Sequence, residues 1–215
     1  MVGWMKMTDE LLERFKNWPT FTALDAYRYI KKVRKSTTRT GIQVTLFRLV
    51  RDGRLHRVAK GVFSLRDNAE YAGFAFSPFY YGGLSALMIR DLIDDQVKLE
   101  IMTTKAVRKS HMALFDGSVE VIMHHISSAR YFGFDMVAYG GIEVPVSNPE
   151  KTLIDLFYYG IRLSIQDYSE LLRTVSRETV RGYLKAYDKH TATAVLNFIK
   201  KYKGLADSGR LRNLY

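Results

Sequence analysis

Residues 38–65 have the sequence TRTGIQVTLFRLVRDGRLHRVAKGVFSL, and this stretch decides the predicted fold. Apolar residues in its first half recur with the period of one helix face, at Ile42, Leu46, Leu49 and Val50. We predict a helix over residues 40–51, with a threonine as its cap and Gly53 at its end. The second half, residues 55–65, predicts a β-hairpin in which Gly61 supplies the positive φ of the turn.

The polar positions of this stretch are strongly basic. Long hydrogen-bond donors face away from the apolar side of the helix, at Arg39, Gln43, Arg48 and Arg51. The hairpin adds Arg57 and Lys60 at exposed positions. A basic helix followed at once by a basic hairpin is typical of winged helix-turn-helix proteins, in which the helix enters the DNA groove and the hairpin forms the wing.

The composition narrows the class of protein. The chain has 215 residues, 47% of them hydrophobic, which is enough for a substantial core. It contains no cysteine, which excludes disulfides, thiolate zinc sites and thiol catalysis. Since no apolar run reaches the roughly 18 residues of a membrane span and no signal peptide is evident, we expect a cytoplasmic protein without membrane contact.

The positive charge is concentrated at the N-terminal end. The formal net charge of the chain is +11. Residues 1–66 hold 15 Lys and Arg against 5 Asp and Glu, whereas residues 67–215 hold 18 against 17. An excess of positive charge confined to one small region predicts a polyanionic partner for that region.

The elements around this stretch complete one compact unit. We predict helices over residues 8–18 and 22–31, followed by the basic turn 31–36 that leads into the helix from residue 40. Helix, helix, basic turn, helix and hairpin within about 60 residues is the order that a winged helix-turn-helix requires. We therefore predict a DNA-binding domain over residues 1–68.

The remainder, residues 69–215, predicts a second domain of mixed sheet and helices, so that the fold class is α/β (α+β). We expect strands at residues 70–76 and 97–103, with a helix between them at 84–93. Two hairpins are expected at 112–126 and 136–146. A helical region closes the chain, with helices at 149–159, 164–174, 176–187 and 191–203 and a loose tail at 204–215.

The candidate DNA-binding residues fall into two groups. Those on the helix are predicted to lie in the groove: Arg39, Thr40, Gln43, Thr45, Arg48 and Arg51. Those in the turn and hairpin are predicted to contact phosphates: Lys31, Lys32, Arg34, Lys35, Arg57 and Lys60. An ordinary solvated helix face is the alternative, and which residues reach bases rather than phosphates stays open.

Patterns for catalysis or metal binding are weak. His124 and His125 point to opposite faces if they lie on a strand, so they are poorly placed to share a metal ion. Asp91, Asp94 and Glu100 are the carboxylates that a metal-dependent nuclease or nucleotidyltransferase would use, but their spacing does not match such a site. We expect no catalytic residue, metal ion or cofactor.

Three segments in order resemble the AbiEi family, the antitoxins and predicted transcriptional regulators of type IV toxin–antitoxin systems. They are RVAKGVF (57–63), YGGLSAL (81–87) and PEKTLID (149–155). The resemblance extends over roughly residues 9–187. The chain has Lys60 where the family often has arginine, and the positive charge is kept.

This resemblance implies a function in phage defence. The N-terminal domain would bind double-stranded operator DNA as an autorepressor, and the chain could do so as a dimer. The C-terminal domain would counter a cognate nucleotidyltransferase-like toxin, with direct contact left open. The alternatives are a winged-helix repressor whose second domain senses a ligand or forms a dimer, and a metal-dependent enzyme.

Overall fold

The computed structural model describes residues 6–94 and 98–207, with side chains described up to Tyr202. The chain divides into two compact units. Unit 1 contains the residues up to Phe79 together with His111–Val121, and unit 2 contains Tyr80–Ser110 and the residues from Ile122 onward. Compared with the predicted boundary after Asn68, unit 1 includes two further segments, 69–79 and 111–121.

Unit 1 begins with helices and one short strand. They are α1 (Met7–Phe15), β1 (Phe21–Thr22), α2 (Ala23–Val33) and α3 (Arg39–Arg51). Thr22 and Asp25 form a reciprocal capping box at the start of α2. Thr38 caps α3, because its hydroxyl accepts a hydrogen bond from the Gly41 N–H at 3.1 Å. The helix predicted over residues 8–18 ends earlier, at Phe15.

The predicted hairpin is present as β2 (His56–Ala59) and β3 (Val62–Ser64). Gly61 at its tip has φ +77°, a conformation that other residues adopt only with strain. The order of this small sheet is β1-β3-β2, and Phe21 lies opposite Phe63. The start of α2 is therefore tied directly to the hairpin.

An apolar core holds the helices and the hairpin of unit 1 together. It buries residues from the helices, from β1 and from the hairpin region: Leu11, Phe15, Phe21, Ala26, Ile30, Ile42, Leu46, Leu49, Leu55 and Phe63. Phe15 and Phe21 stack with their ring centroids 4.2 Å apart. This core fixes which side of α3 faces inward, and so leaves the opposite side exposed.

A larger sheet of six strands is found among the described residues, in the order β6-β7-β5-β4-β9-β8. Its strands are β4 (Phe79–Tyr81), β5 (Lys98–Thr103), β6 (His111–Leu114), β7 (Val119–His125), β8 (Phe134–Tyr139) and β9 (Ile142–Ser147). The hairpin predicted over residues 136–146 is confirmed, with Tyr139 opposite Ile142. Strand β4 pairs in parallel with β9, Tyr81 opposite Val146.

The strand predicted over residues 70–76 is wrong, because Ala69–Phe76 forms a 3₁₀ helix. Tyr71, Ala72 and Gly73 are buried in succession, whereas a half-buried strand alternates. A Cβ on Gly73 would collide with the ring of Phe79, so the segment packs closely on the residue that begins β4.

Unit 2 adds helices α4 (Gly83–Ile89), α5 (Pro149–Tyr159), α6 (Ile165–Thr174), α7 (Arg177–Leu184) and α8 (Lys189–Asp207). Helix α5 follows its sequence signals: the Asn148 side chain accepts a hydrogen bond from the Lys151 N–H at 2.9 Å, and Gly160 ends the helix in the left-handed region. The helix predicted over 84–93 ends at Ile89, and the predicted loose tail is helical to Asp207, beyond which it lies outside the described residues.

The predicted mixed α/β fold is therefore confirmed. The described residues form two sheets, and both units contain helices. Among the described helices, none combines the length and apolar character needed to cross a membrane.

Candidate nucleic-acid interface

The exposed side of α3 carries most of the residues that are predicted to lie in the DNA groove. Ile42, Leu46 and Leu49 are buried in the core of unit 1. The side chains that remain exposed include Arg39, Thr40, Gln43, Arg48 and Arg51. Thr45 is half-buried, and its hydroxyl donates to the Gly41 carbonyl at 2.9 Å. Its hydrogen-bonding capacity is thus partly used inside the helix.

Two of the exposed arginines have neighbours within unit 1. The Arg39 guanidinium lies 5.4 Å from the centre of the Tyr27 ring, which orients it by a cation–π contact. The Arg51 Nε lies 3.2 Å from the Asp52 carboxylate, and both side chains are more than half exposed. Ion pairs this exposed contribute little, so Arg51 can exchange Asp52 for another anion at small cost.

The basic turn between α2 and α3 divides into paired and exposed cations. Arg34 makes two contacts to the Glu10 carboxylate, from Nη2 at 3.0 Å and from Nε at 3.3 Å. The Lys31 ammonium donates to the carbonyls of Lys35 and Thr37 and so closes the turn. Lys32 and the Lys35 side chain are exposed. Arg34 and Lys31 therefore hold the turn in shape, and Lys32 and Lys35 face solvent.

A groove of about 390 Å³ lies between α3 and the hairpin. Both elements contribute predicted DNA-binding residues to it, Gln43 from α3 and Arg57 from β2. Its other lining residues are Ala23, Leu46, Phe47, Val50, Gly61, Phe63 and Asp116. Lys60 is exposed next to Gly61 at the tip of the hairpin. The groove thus brings the helix and wing candidates together, whereas the basic turn does not contribute to its lining.

The exposed side of α3 also presents two apolar side chains that the sequence analysis did not select. Phe47 is 73% exposed and Val44 is 45% exposed. Helical spacing predicts that both side chains are exposed, because neither lies on the face of α3 that carries Ile42, Leu46 and Leu49. They lie among the cations of the predicted groove face.

Unit 2 contains a separate buried polar cluster around Lys151 and Asp155, whose side chains are both fully buried. The Lys151 ammonium donates to Asp155 and to the Tyr80 hydroxyl at 2.7 Å. Asp155 also accepts hydrogen bonds from the hydroxyls of Tyr80 at 2.8 Å and Tyr187 at 3.0 Å. Each of these polar side chains has a partner within the cluster, as a structural network requires.

Burial dominates the protonation behaviour of this cluster. It lowers the pKa of Lys151 from its ordinary value, and the Asp155 carboxylate partly opposes that shift. Burial, and after it the charge of Asp155, raises the pKa of Tyr80 well above its ordinary value. Tyr80 is therefore held as the neutral phenol that donates to Asp155.

The carboxylates considered for metal chemistry lie in different surroundings. Asp91 and Asp94 are exposed, whereas Glu100 is only 2% exposed. The Glu100 carboxylate lies 3.0 Å from His124 Nε2, and His124 packs against Tyr159 with ring centroids 4.6 Å apart. Within residues 6–94 and 98–207, no three His, Asp or Glu side chains are grouped so as to hold a metal ion.

A glycine explains the tight approach of α4 to Glu100. Gly83 has φ +54°, and a Cβ there would meet the Glu100 carboxylate. The Leu84 N–H at the start of the helix points at the same carboxylate, at 3.5 Å. Gly83 at the first position of α4 thus allows a buried carboxylate to lie against the helix start, where the helix dipole favours it.

Comparison with known proteins gives structural similarity at low sequence identity. No family profile matches the chain, and no curated protein sequence matches it significantly. The crystal structure of the RV2827C protein from Mycobacterium tuberculosis superimposes with a TM-score of 0.60 and 12% identity, covering 90% of this chain and 77% of that one. The solution structure of the antibiotic-resistance factor ANT(2'')-Ia gives a TM-score of 0.35 and 10% identity, covering 66% of this chain and 94% of that one. At such identity, the similarity to RV2827C describes the fold alone.

Proposed function

We propose that unit 1 contains a winged helix-turn-helix that binds double-stranded DNA, and that the chain is a transcriptional regulator. The observation that carries this proposal is the groove between α3 and the β2–β3 hairpin, to which both elements contribute exposed polar or basic side chains. The order of elements around it, α1, β1, α2, α3, β2 and β3, supports the same proposal.

The geometry is suited to a duplex. An α-helix fits the major groove of B-DNA, which is about 12 Å wide. Helix α3 has 13 residues, and its inward side is anchored by the core, so its exposed side can lie in the groove without disturbing the fold. Arg57 and Lys60 on the hairpin would then lie along the phosphate backbone, where cations supply affinity and salt dependence.

Two substitutions test the DNA-binding proposal. Arg48→Ala on α3 and Lys60→Ala on the hairpin each remove an exposed cation, so we expect weaker binding of the chain's own upstream DNA in fluorescence anisotropy. If each cation neutralises one phosphate, the slope of log affinity against log salt concentration becomes shallower by about 0.9 in each variant.

Lys200→Ala is the matched control, since Lys200 is an exposed cation on α8 of unit 2. It should leave affinity and slope unchanged. Equal losses in all three variants would indicate only a general charge effect, and unchanged affinity for both Arg48→Ala and Lys60→Ala would refute the assignment of the interface.

We further propose that the chain is an autorepressor and antitoxin of a type IV toxin–antitoxin module, countering a nucleotidyltransferase-like toxin. This part is supported by the resemblance of residues 57–63, 81–87 and 149–155 to the AbiEi family. Two of those segments lie in unit 2, whereas α3 and the hairpin lie in unit 1. DNA binding and toxin neutralisation should therefore be separable.

Co-expression tests this separation. Cells expressing a nucleotidyltransferase encoded beside this chain should be rescued by the full chain and equally by the double variant Arg48→Ala/Lys60→Ala. A promoter fusion measured in parallel should lose repression with the double variant only. Failure of the unaltered chain to rescue would refute the antitoxin proposal while leaving the DNA-binding proposal to the anisotropy experiment.

A further inference from the structure

We propose that Phe47 and Val44 read thymine, by packing against its C5-methyl group in the major groove. This inference rests on the proposed binding of duplex DNA and names the residues that give it sequence preference. Phe47 is the most exposed large apolar side chain in the described part of the chain, at 73%. Val44, three residues earlier on the same helix, is 45% exposed.

Helical geometry places both side chains at the centre of the exposed face. Thr40, Val44, Phe47 and Arg51 follow one another at spacings of four, three and four residues, which is one stripe along a helix. The stripe lies opposite the buried Ile42 and Leu46, so it is the part of α3 that projects furthest from the core. A helix docked in a groove presents this stripe to the base edges.

The neighbours of the stripe decide the kind of partner. Arg48 and Arg51 flank the apolar pair, and Arg57 lies across the groove that Phe47 helps to line. An apolar surface surrounded by cations complements a polyanion that itself has apolar groups. In the major groove of a duplex, that group is the thymine methyl, which apolar side chains such as phenylalanine contact.

The local packing supports a direct role for Phe47. The apolar residues Leu46, Val50 and Phe63 line the same groove, and of these Leu46 and Phe63 are buried. Phe47 itself remains outside the buried cluster of unit 1, so its exposed ring adds little to the stability of that core. Removing its ring should therefore alter binding and leave the fold intact.

The experiment uses the full chain and duplexes of its own upstream DNA in which each thymidine is replaced, one at a time, by deoxyuridine. This replacement removes one methyl group and keeps the base pairing. With the unaltered chain, the affinity should fall about fourfold at each contacted thymidine, the value of one buried methyl group. With Phe47→Ala, affinity for the thymidine duplex falls and the response to at least one of those replacements disappears.

Three controls separate this result from a general loss of binding. Met136→Ala removes an apolar side chain that is 54% exposed on β8 of unit 2, and it should keep the full thymidine preference. Arg48→Ala should weaken binding to the thymidine duplex and to each deoxyuridine duplex while keeping the ratio of their affinities. The salt slope should be the same for Phe47→Ala as for the unaltered chain, because no charge is removed.

Failure of the thymine inference can be distinguished from failure of the proposed DNA binding. A chain that prefers its upstream DNA over scrambled DNA but responds to no deoxyuridine replacement overturns the thymine inference and leaves the proposed function standing. The thymine inference is also overturned if Phe47→Ala keeps the same ratio of affinities for the thymidine and deoxyuridine duplexes as the unaltered chain. If Phe47→Ala instead changes no DNA measurement and lowers the dimer fraction in sedimentation, the thymine inference fails and the stripe is covered by a second copy of the chain. A chain that binds no duplex at low salt overturns both proposals.

Discussion

Replacing Lys151 by methionine gives a sharp test of the buried cluster in unit 2. Methionine keeps the length and most of the volume of the side chain but removes its ammonium group. That group donates to Asp155 and to the Tyr80 hydroxyl at 2.7 Å, and both members of the ion pair are fully buried. The substitution therefore leaves the Asp155 carboxylate without its countercharge.

The magnitude follows from what remains around Asp155. Breaking a buried ion pair by removing one partner costs about 3–5 kcal/mol, because an uncompensated charge is left in the interior. Asp155 keeps the hydrogen bonds from Tyr80 at 2.8 Å and from Tyr187 at 3.0 Å. Since these two donors still stabilise the carboxylate, we expect a loss near the lower limit, about 3 kcal/mol.

The assay is urea unfolding monitored by far-ultraviolet circular dichroism. A second substitution, Asp155→Asn, should reverse part of the effect of Lys151→Met. Asp155→Asn in the unaltered chain should be destabilising, because it disrupts the pair. In the Lys151→Met background the same change should be stabilising by about 1 kcal/mol or more, since it removes the unpaired charge. The asparagine Oδ1 can accept from one tyrosine hydroxyl, and its Nδ2 can donate to the Tyr80 oxygen that the Lys151 ammonium no longer occupies. If the two substitutions simply add, or if Lys151→Met costs less than about 1 kcal/mol, the coupling that we infer between Lys151 and Asp155 is absent.

Two further predictions concern the pH dependence of stability and the glycines. The folded state holds Tyr80 neutral with a raised pKa, whereas the unfolded chain releases that proton at about pH 10. The free energy of unfolding should therefore fall as the pH rises through about 10. In urea titrations between about pH 8 and 11, Tyr80→Phe should make this decline less steep. An equally steep decline in Tyr80→Phe would contradict the role assigned to Tyr80. Gly83→Ala should destabilise the chain by about 1–3 kcal/mol, because Gly83 has φ +54° and a Cβ there meets Glu100. Gly182→Ala is its matched control in a thermal melt, since it lies in α7 with open space around it and should stabilise by about 0.5–1 kcal/mol; equal shifts for both glycines would contradict the strain assigned to Gly83.

The sequence predicted the elements whose signals are local. Helix α3 combines a clear apolar period, a threonine cap and a following glycine, and its observed bounds differ from the prediction by one residue at its start. Helix α5 was predicted equally well, because Asn148 and Pro149 begin it and Gly160 ends it. In such segments, side-chain capping and periodicity within about a dozen residues determine the structure.

Features that depend on distant partners could not be predicted in this way. Strand β4 has three consecutive buried residues and pairs in parallel with β9, some 65 residues later in the chain. The segment 69–76 resembles a strand by its aromatic content, but it packs as a 3₁₀ helix against Phe79. The grouping of residues 111–121 with unit 1 has no local signal at all.

The candidate interface shows the same division. The exposure of Arg48, Arg57 and Lys60 follows from the period of α3 and from the hairpin. That Arg34 pairs with Glu10, 24 residues away, could not be inferred from either segment alone. The exposure of Phe47 also follows from the period of α3, but a pattern of charged and polar residues does not point to an apolar side chain as part of a DNA interface.

DNA binding by unit 1 is tested most directly by the affinity of the full chain for its own upstream duplex and for a scrambled duplex, measured by fluorescence anisotropy at several salt concentrations. We predict that affinity falls steeply with salt for both duplexes and that the upstream DNA is clearly preferred. Binding to neither duplex at low salt would contradict the central claim, and the excess positive charge of residues 1–66 would then require another partner.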